Sequence, residues 1–177
     1  LHYVNQQRHV VENFPDTWET RVDRSIVVAV RNALWAEASL LDAFIAENPA
    51  KLSATDLALV ASWKYRVADK FFVMRYLQRH AIFLSEGPPS HVYGVLGLTN
   101  PFEEFLGSYL PVYVSAVLLP FNGKIIYDGV ITPNNLLVGD DYQASLNFRY
   151  HYAQKHDGII TTLTPADNIH PDDLRKG

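Results

Sequence analysis

The chain has 177 residues, 48% of them hydrophobic and 19% charged, which suits one globular domain or two small ones and excludes a low-complexity disordered polymer. It contains no cysteine, so disulfides, thiol nucleophiles, cysteine-ligated zinc and iron–sulfur clusters are excluded. A net charge of −4 argues against a general nucleic-acid or anionic-membrane coat and leaves only a local basic patch open.

Glycine divides the chain. None of the nine glycines lies before Gly87, and eight of the ten prolines lie beyond it. Glycine is costly inside helices and useful in tight turns, so a helical front and a turn-rich rear are expected. In chain order, a helix is expected from Tyr3 to Asn13, ending at Phe14-Pro15. A second carries Ile26, Val30 and Leu34 at four-residue spacing, and a third the stripe Leu40, Leu41, Phe44 and Ile45, stopped at Asn48-Pro49 because the residue before proline leaves the α region. Ser53 reads as the N-cap of a fourth helix, with Asp56 three residues on and Leu57, Val60, Trp63 and Val67 at helical spacing behind it.

Phe71–Leu77 either prolongs the preceding helix or forms a strand turning back at Gln78-Arg79, strand being favoured because Phe, Val and Tyr dominate it, and Ala81–Ser85 and Val92–Leu98 read as two more strands around the turn Gly87-Pro88-Pro89-Ser90. Asn100-Pro101 opens a short helix with Pro101 at its first position. Val112–Phe121, Asn122-Gly123 and Lys124–Ile131 form the strongest local signal, because Asn-Gly is the preferred pair for a two-residue type I′ turn. That register sets Phe121 opposite Lys124, Leu119 opposite Ile126 and Val117 opposite Asp128, and it pairs Pro120 with Ile125, where the missing N–H breaks no bond. Both faces of the first strand are apolar, so both should be covered. Asp128-Gly129 reads as a bulge, with Asp128 a hydrogen-bonding anchor. Asp140 and Gln143 suggest a capping box opening a helix to about Gln154, with Leu146, Tyr150 and Ala153 inward and Gly158 ending it. Ile159–Leu163 is a last strand candidate.

The chemistry-bearing residues are sparse. His151 and His156 fall about 140° apart on a helix, and His2 and His9 about 10 Å apart along one, so neither pair suits one zinc ion. Gly107-Ser108 lacks the spacing of a nucleophile elbow. Tyr93-Gly94-Val95-Leu96-Gly97-Leu98 lacks the lysine of a phosphate loop, and its glycines are better explained by a close backbone approach. Lys124, Tyr127 and Asp128 cannot act together, since Tyr127 and Asp128 point to opposite faces of a strand. His91 and Tyr93 share a face, but two residues make no catalytic site. Lys64, Arg66, Lys70, Arg75 and Arg79, interleaved with Trp63, Tyr65, Phe71, Phe72 and Tyr76, form the one candidate binding surface. Cations among rings suit single-stranded nucleic acid, although core packing with a charged rim explains the same pattern.

The segments Glu47-Asn48-Pro49, Leu52-Ser53, Asp56-Leu57, Ser62-Trp63-Lys64, Ile82-Phe83-Leu84, Tyr93 to Leu98 and Leu119 to Gly129 together resemble a family of uncharacterised bacterial proteins. The resemblance spans residues 38–131 and implies a bacterial cytoplasmic setting, with no activity or cofactor attached.

The expected fold is therefore α+β, with an N-terminal helical layer packed on a mostly antiparallel sheet or small β-barrel and one C-terminal helix. Helical residues 1–70 and β-rich residues 71–164 form one compact domain, and residues 165–177 a loose tail. No apolar run approaches the roughly 20 residues of a membrane-spanning helix. Abundant tyrosine and the lack of a recognised catalytic constellation favour a non-enzymatic binding or interaction domain, with protein preferred over nucleic acid as partner, and with no membrane and no cofactor. Single-stranded nucleic-acid binding through residues 64–80 is the alternative, and a hydrolase or metal enzyme of unfamiliar design a second.

Overall fold

A computed structural model describes residues 1–15, 22–136 and 138–164. The fold is α+β. Leu1–Lys64 forms one compact unit and the chain from Tyr65 a second. The tail expected over residues 165–177 lies outside the described residues.

Among its described residues the first unit holds four α-helices, α1 (His2–Arg8), α2 (Arg24–Ala36), α3 (Ser39–Glu47) and α4 (Ala54–Ser62). Their core is Val4, Val30, Leu34, Leu40, Leu41 and Val60, with Tyr3 set edge-on against Phe44 at 5.4 Å. The ends follow local chemistry. Asp23 caps α2 by accepting from the Ser25 N–H, and Ser53 caps α4 by accepting from the Asp56 N–H while its hydroxyl donates to the Asp56 carboxylate. Asn48 ends α3 in the left-handed region (φ 42°), and its side chain both accepts from the Leu52 N–H and donates to the Leu52 carbonyl. Two expectations fail here. The first helix stops at Arg8, because His9 turns left-handed and Asn5 exchanges two hydrogen bonds with the backbone of Val11. The fourth stops at Ser62 and tightens into a 3₁₀ turn, Trp63–Tyr65, so Val67 begins a strand.

The second unit holds β1 (Val67–Tyr76), β2 (His80–Ser85), β3 (Val92–Leu96), α5 (Phe102–Leu106), β4 (Val112–Phe121), β5 (Lys124–Pro133), α6 (Asp140–His156) and the short β6 (Ile159–Ile160). β1 pairs β4 through Val67–Val73 and β2 through Phe71–Tyr76, with a bulge at Met74 between the Val73 and Arg75 pairings. β2 pairs β3, β3 pairs β5 in parallel, and β5 pairs β4, so the five strands close a ring in the order β1-β2-β3-β5-β4. Because β2 occupies one edge of β3, β5 and β6 share the other, β5 at Val95 and Leu96 and β6 at Val92 and Tyr93. A five-stranded, partly open Greek-key closure with a helix between its third and fourth strands is an OB-type barrel.

Alternate side chains of the strands fill the interior: Phe71, Val73, Phe83, Tyr93, Val95, Val114, Leu118, Ile125 and Tyr127. Phe102 of α5 plugs one end, 5.5 Å from the rings of both Phe83 and Tyr127. The β4–β5 turn takes the expected form, with Asn122 at φ 46° and Gly123 at φ 72°, and Pro120 faces Ile125. The register beyond it does not run straight. After Leu118 opposite Tyr127 the next pair is Ala116 opposite Ile131, so Val117 does not face Asp128. Gly129 (φ 93°) carries this bulge, and Asp128 anchors it by accepting from the Val130 N–H. The capping box expected at α6 does not form: Gly139 is the N-cap and Asp140 the first helical residue, where its charge still meets the helix dipole. Pro101 likewise precedes α5 as its N-cap rather than opening it.

Candidate functional site

The five cations expected to form one surface are divided. Lys64 ends the helical unit, Arg66 precedes β1, Lys70 and Arg75 stand on β1, and Arg79 lies in the β1–β2 turn. Lys70 and Arg75 both face out of the barrel, since Lys70 alternates with the inward Phe71 and Arg75 pairs with the outward Ile82. Five residues of strand separate them by about 16 Å, so they form a line rather than a cluster. Their aromatic neighbours are committed elsewhere. Phe71 is inside the barrel, Phe72 is fully buried, and Trp63 belongs to the helical core. Lys70 places its ammonium 5.9 Å from the centre of the Tyr113 ring, which stacks on Phe72 at 4.6 Å. The Tyr113 hydroxyl donates to the Glu86 carboxylate, and burial, helped by that carboxylate, pushes it well above an ordinary phenol.

On the outer face of β2 and β3 lies α6. Leu146, Tyr150 and Ala153 pack on Phe72, Ile82, Leu84 and Val92, so the helix itself occupies this apolar surface. Arg149 fastens the helix, donating to the Ser85 and Glu86 carbonyls and to the Ser90 hydroxyl.

Beyond the helix the face remains open at one end. There the β1–β2 turn and the β3–α5 loop frame a concavity of about 630 Å³, with Tyr76, Leu77, Arg79, His80, Thr99 and Glu103 among its lining. That volume is in the range of small-ligand and peptide side-chain sites. Its frame is tied by backbone bonds, Leu77 N–H to the His80 carbonyl (2.7 Å) and Gly97 N–H to the Arg79 carbonyl (3.1 Å). On the other side the Tyr76 hydroxyl donates to the Gly107 carbonyl at 2.8 Å, and burial raises its pKa. Arg79 and Glu103 give the rim one charge of each sign, and Leu77 is 54% exposed. Of the five cations, Arg79 is the one that lines this concavity. The sequence signalled Arg79 as a cation but carried no trace of the concavity, which forms only when a three-residue turn meets a loop some twenty positions later.

The remaining candidates stay apart. Tyr127 faces the barrel interior, where burial raises its pKa, and Lys124 is exposed at the hairpin end. His91 reaches Asp157, with Nδ1 3.8 Å from the carboxylate, and its ring lies 6.5 Å from Tyr93. Of the two glycines between Tyr93 and Leu98, Gly97 marks the close backbone approach, since a Cβ there would meet the Asn100 carbonyl oxygen at 3.2 Å, whereas at Gly94 it would make only ordinary contact with Ile159 at 3.5 Å and Thr161 at 3.6 Å. Among the described residues no three His, Asp or Glu side chains gather as a metal-binding set, and no helix is long and apolar enough to cross a membrane. Comparison of the chain with protein-family models, curated proteins and solved structures finds no match.

Proposed function

We propose that this chain is a non-enzymatic binding domain that takes a short segment of a partner protein at the open end of its barrel. One observation carries the reading. α6 covers the outer face of β2 and β3 at their Leu84 and Val92 end, and at the His80 and Leu96 end the β1–β2 turn and the β3–α5 loop frame a concavity. Arg79 supplies a fork for a carboxylate, Leu77 an apolar contact and Glu103 an acceptor, which together suit a peptide with an acidic and an apolar side chain. A cytoplasmic setting belongs to the same proposal.

The test is a heteronuclear NMR screen of the full chain against short acidic–apolar peptides. Shift changes should cluster at Leu77–His80 and Gly97–Asn100, and Arg79→Glu should abolish them. Shifts scattered over the surface, or none with any peptide, overturn the reading. Single-stranded nucleic acid is the second reading, favoured by the outward line of Lys70 and Arg75 leading along β1 to Arg79. Oligonucleotide binding that weakens steeply with salt, and loses about two to three units of salt slope in a Lys70→Ala/Arg75→Ala/Arg79→Ala variant, would favour it instead.

A further inference from the structure

The outward side of α6 has no role in the concavity, yet it carries two large exposed rings. Phe148 is 71% and Tyr152 57% exposed, and the rings lie 6.2 Å apart, nearly parallel. At 100° per residue, Asp141, Ala144, Tyr152 and Lys155 all fall within about 40° of Phe148 around the helix axis, while the buried Leu146, Tyr150 and Ala153 lie on the opposite side. Opposite its buried face the helix thus carries two exposed rings between charged ends, and among the described residues the ring contacts given for them are with one another and, for Tyr152, with His156 at 4.2 Å.

Phe148 is also the midpoint of the 17-residue helix, and three of the residue pairs at equal distances on either side of it are complementary. Asp141 mirrors Lys155, Asp140 mirrors His156, and the small Ala144 mirrors the large Tyr152. A helix with such a pattern matches itself when a second copy is laid against it antiparallel about a two-fold axis through Phe148. Each acidic N-terminal end then meets a basic C-terminal end, and each Tyr152 fills the space left by the second copy's Ala144. The helix dipole accounts for acids at one end and bases at the other. It does not account for Asp141 and Lys155 lying on the same stripe as the exposed rings, nor for the small-to-large match; Asp140 and His156 lie about 80° to its sides.

We propose that the outward face of α6 is a self-association surface that joins two copies of this chain as an antiparallel, two-fold helix pair. A closed isologous contact of this kind is the commonest form of assembly. Five residues a side make a small interface, below about 1,200 Å², so a reversible dimer is expected with a Kd on the order of 10–100 µM.

Sedimentation of the full chain over a range of concentrations tests it. The unmodified chain should pass from monomer to dimer, and Phe148→Asp should remain monomeric. Asp141→Lys alone and Lys155→Asp alone each place like charges opposite one another twice, and each should weaken the dimer about tenfold. The double variant Asp141→Lys/Lys155→Asp restores opposite charges and should recover the original Kd. Circular dichroism should stay unchanged and exclude misfolding as the cause, while each charge reversal opposes the dipole of α6 and lowers the melting temperature slightly, most in the double variant, an order that the dimer strengths should not follow. A chain monomeric well above 100 µM, a dimer indifferent to Phe148→Asp, or a double variant no stronger than the singles would overturn the proposal. The peptide screen reads a different surface, so the outcomes of the two tests are independent.

Discussion

The helical unit and the barrel are assembled on different length scales. In α1–α4 the residues that end one helix and start the next are a few positions apart: Asn48 bonds Leu52, and Ser53 bonds Asp56. In the barrel the closing contacts join residues far apart in the chain, Val95 to Ile125 through only two parallel pairs, and Val92 to Ile159. A unit built from neighbours can lose one cap and keep its core, whereas a ring in which each strand has two partners fails when one interior position is emptied. The candidate surfaces lie on the second kind of structure, because a closed barrel holds a turn and a distant loop in fixed relation, whereas helices joined by local contacts bring together residues close in the chain.

The sharpest way to break that comparison is to empty the barrel. Phe83 is fully buried between the Phe71 and Phe102 rings. Phe83→Ala should cost about 3–5 kcal/mol and remove hydrogen-exchange protection from β1 to β5 together, while α2 and α4 keep theirs. Protection lost from β2 alone would mean that the ring does not act as one cooperative body.

A finer test uses the seam where β6 meets β3. Alanine at Gly94 would place its Cβ 3.5 Å from Ile159, an ordinary contact, so Gly94→Ala should fold with little change. Gly94→Val adds two methyl groups at that contact and should cost about 1–3 kcal/mol, with exchange faster at Ile159 and Ile160 than elsewhere. Equal effects from both substitutions would show that β6 is not packed on this glycine. In the helical unit the matching local change is Ser53→Ala, which removes the hydroxyl that caps α4. It should cost about 1 kcal/mol and be read as fraying of the first turn of that helix, with no loss of barrel protection.

The same difference in length scale decides what could be read from the sequence. The Asn122-Gly123 turn, the Ser53 cap and the stop at Asn48 are each settled by two to five adjacent residues, and each stands where its local chemistry put it. The bulge at Gly129 shows where that reasoning stops. The Asp128-Gly129 pair was legible as a bend, but a straight register was carried through it, and the extra residues moved Val117 away from Asp128. The ring closure, the seat of α6 on β1–β3 and the concavity beside Arg79 have no local signature at all. The inward side of α6 is legible in the spacing of Leu146, Tyr150 and Ala153, but the strands on which it seats are not.

The smallest expected effect concerns the acidic end of the barrel. Burial raises the pKa of Asp69 above 3.8, and the nearby Glu86 adds to the rise, while the Lys70 backbone N–H and side chain oppose it. An acid with a raised pKa holds its proton more tightly in the folded chain than in the unfolded one. Its ionised form therefore costs stability, beginning as pH climbs past the unfolded value and complete above the folded one. Asp69→Asn removes that cost while keeping an oxygen to accept from the Lys70 N–H. The variant should melt slightly above the unmodified chain at neutral pH, by less than the Ser53→Ala effect, because Asp69 is only half-buried and water screens the charge. The advantage should shrink as pH falls and vanish below 3.8, where the carboxyl is neutral in both states. An advantage that persists unchanged in acid would mean that Asn gains through packing rather than through loss of charge, and Asp69 would then have to be counted with the residues of the barrel wall rather than with the Glu86 carboxylate.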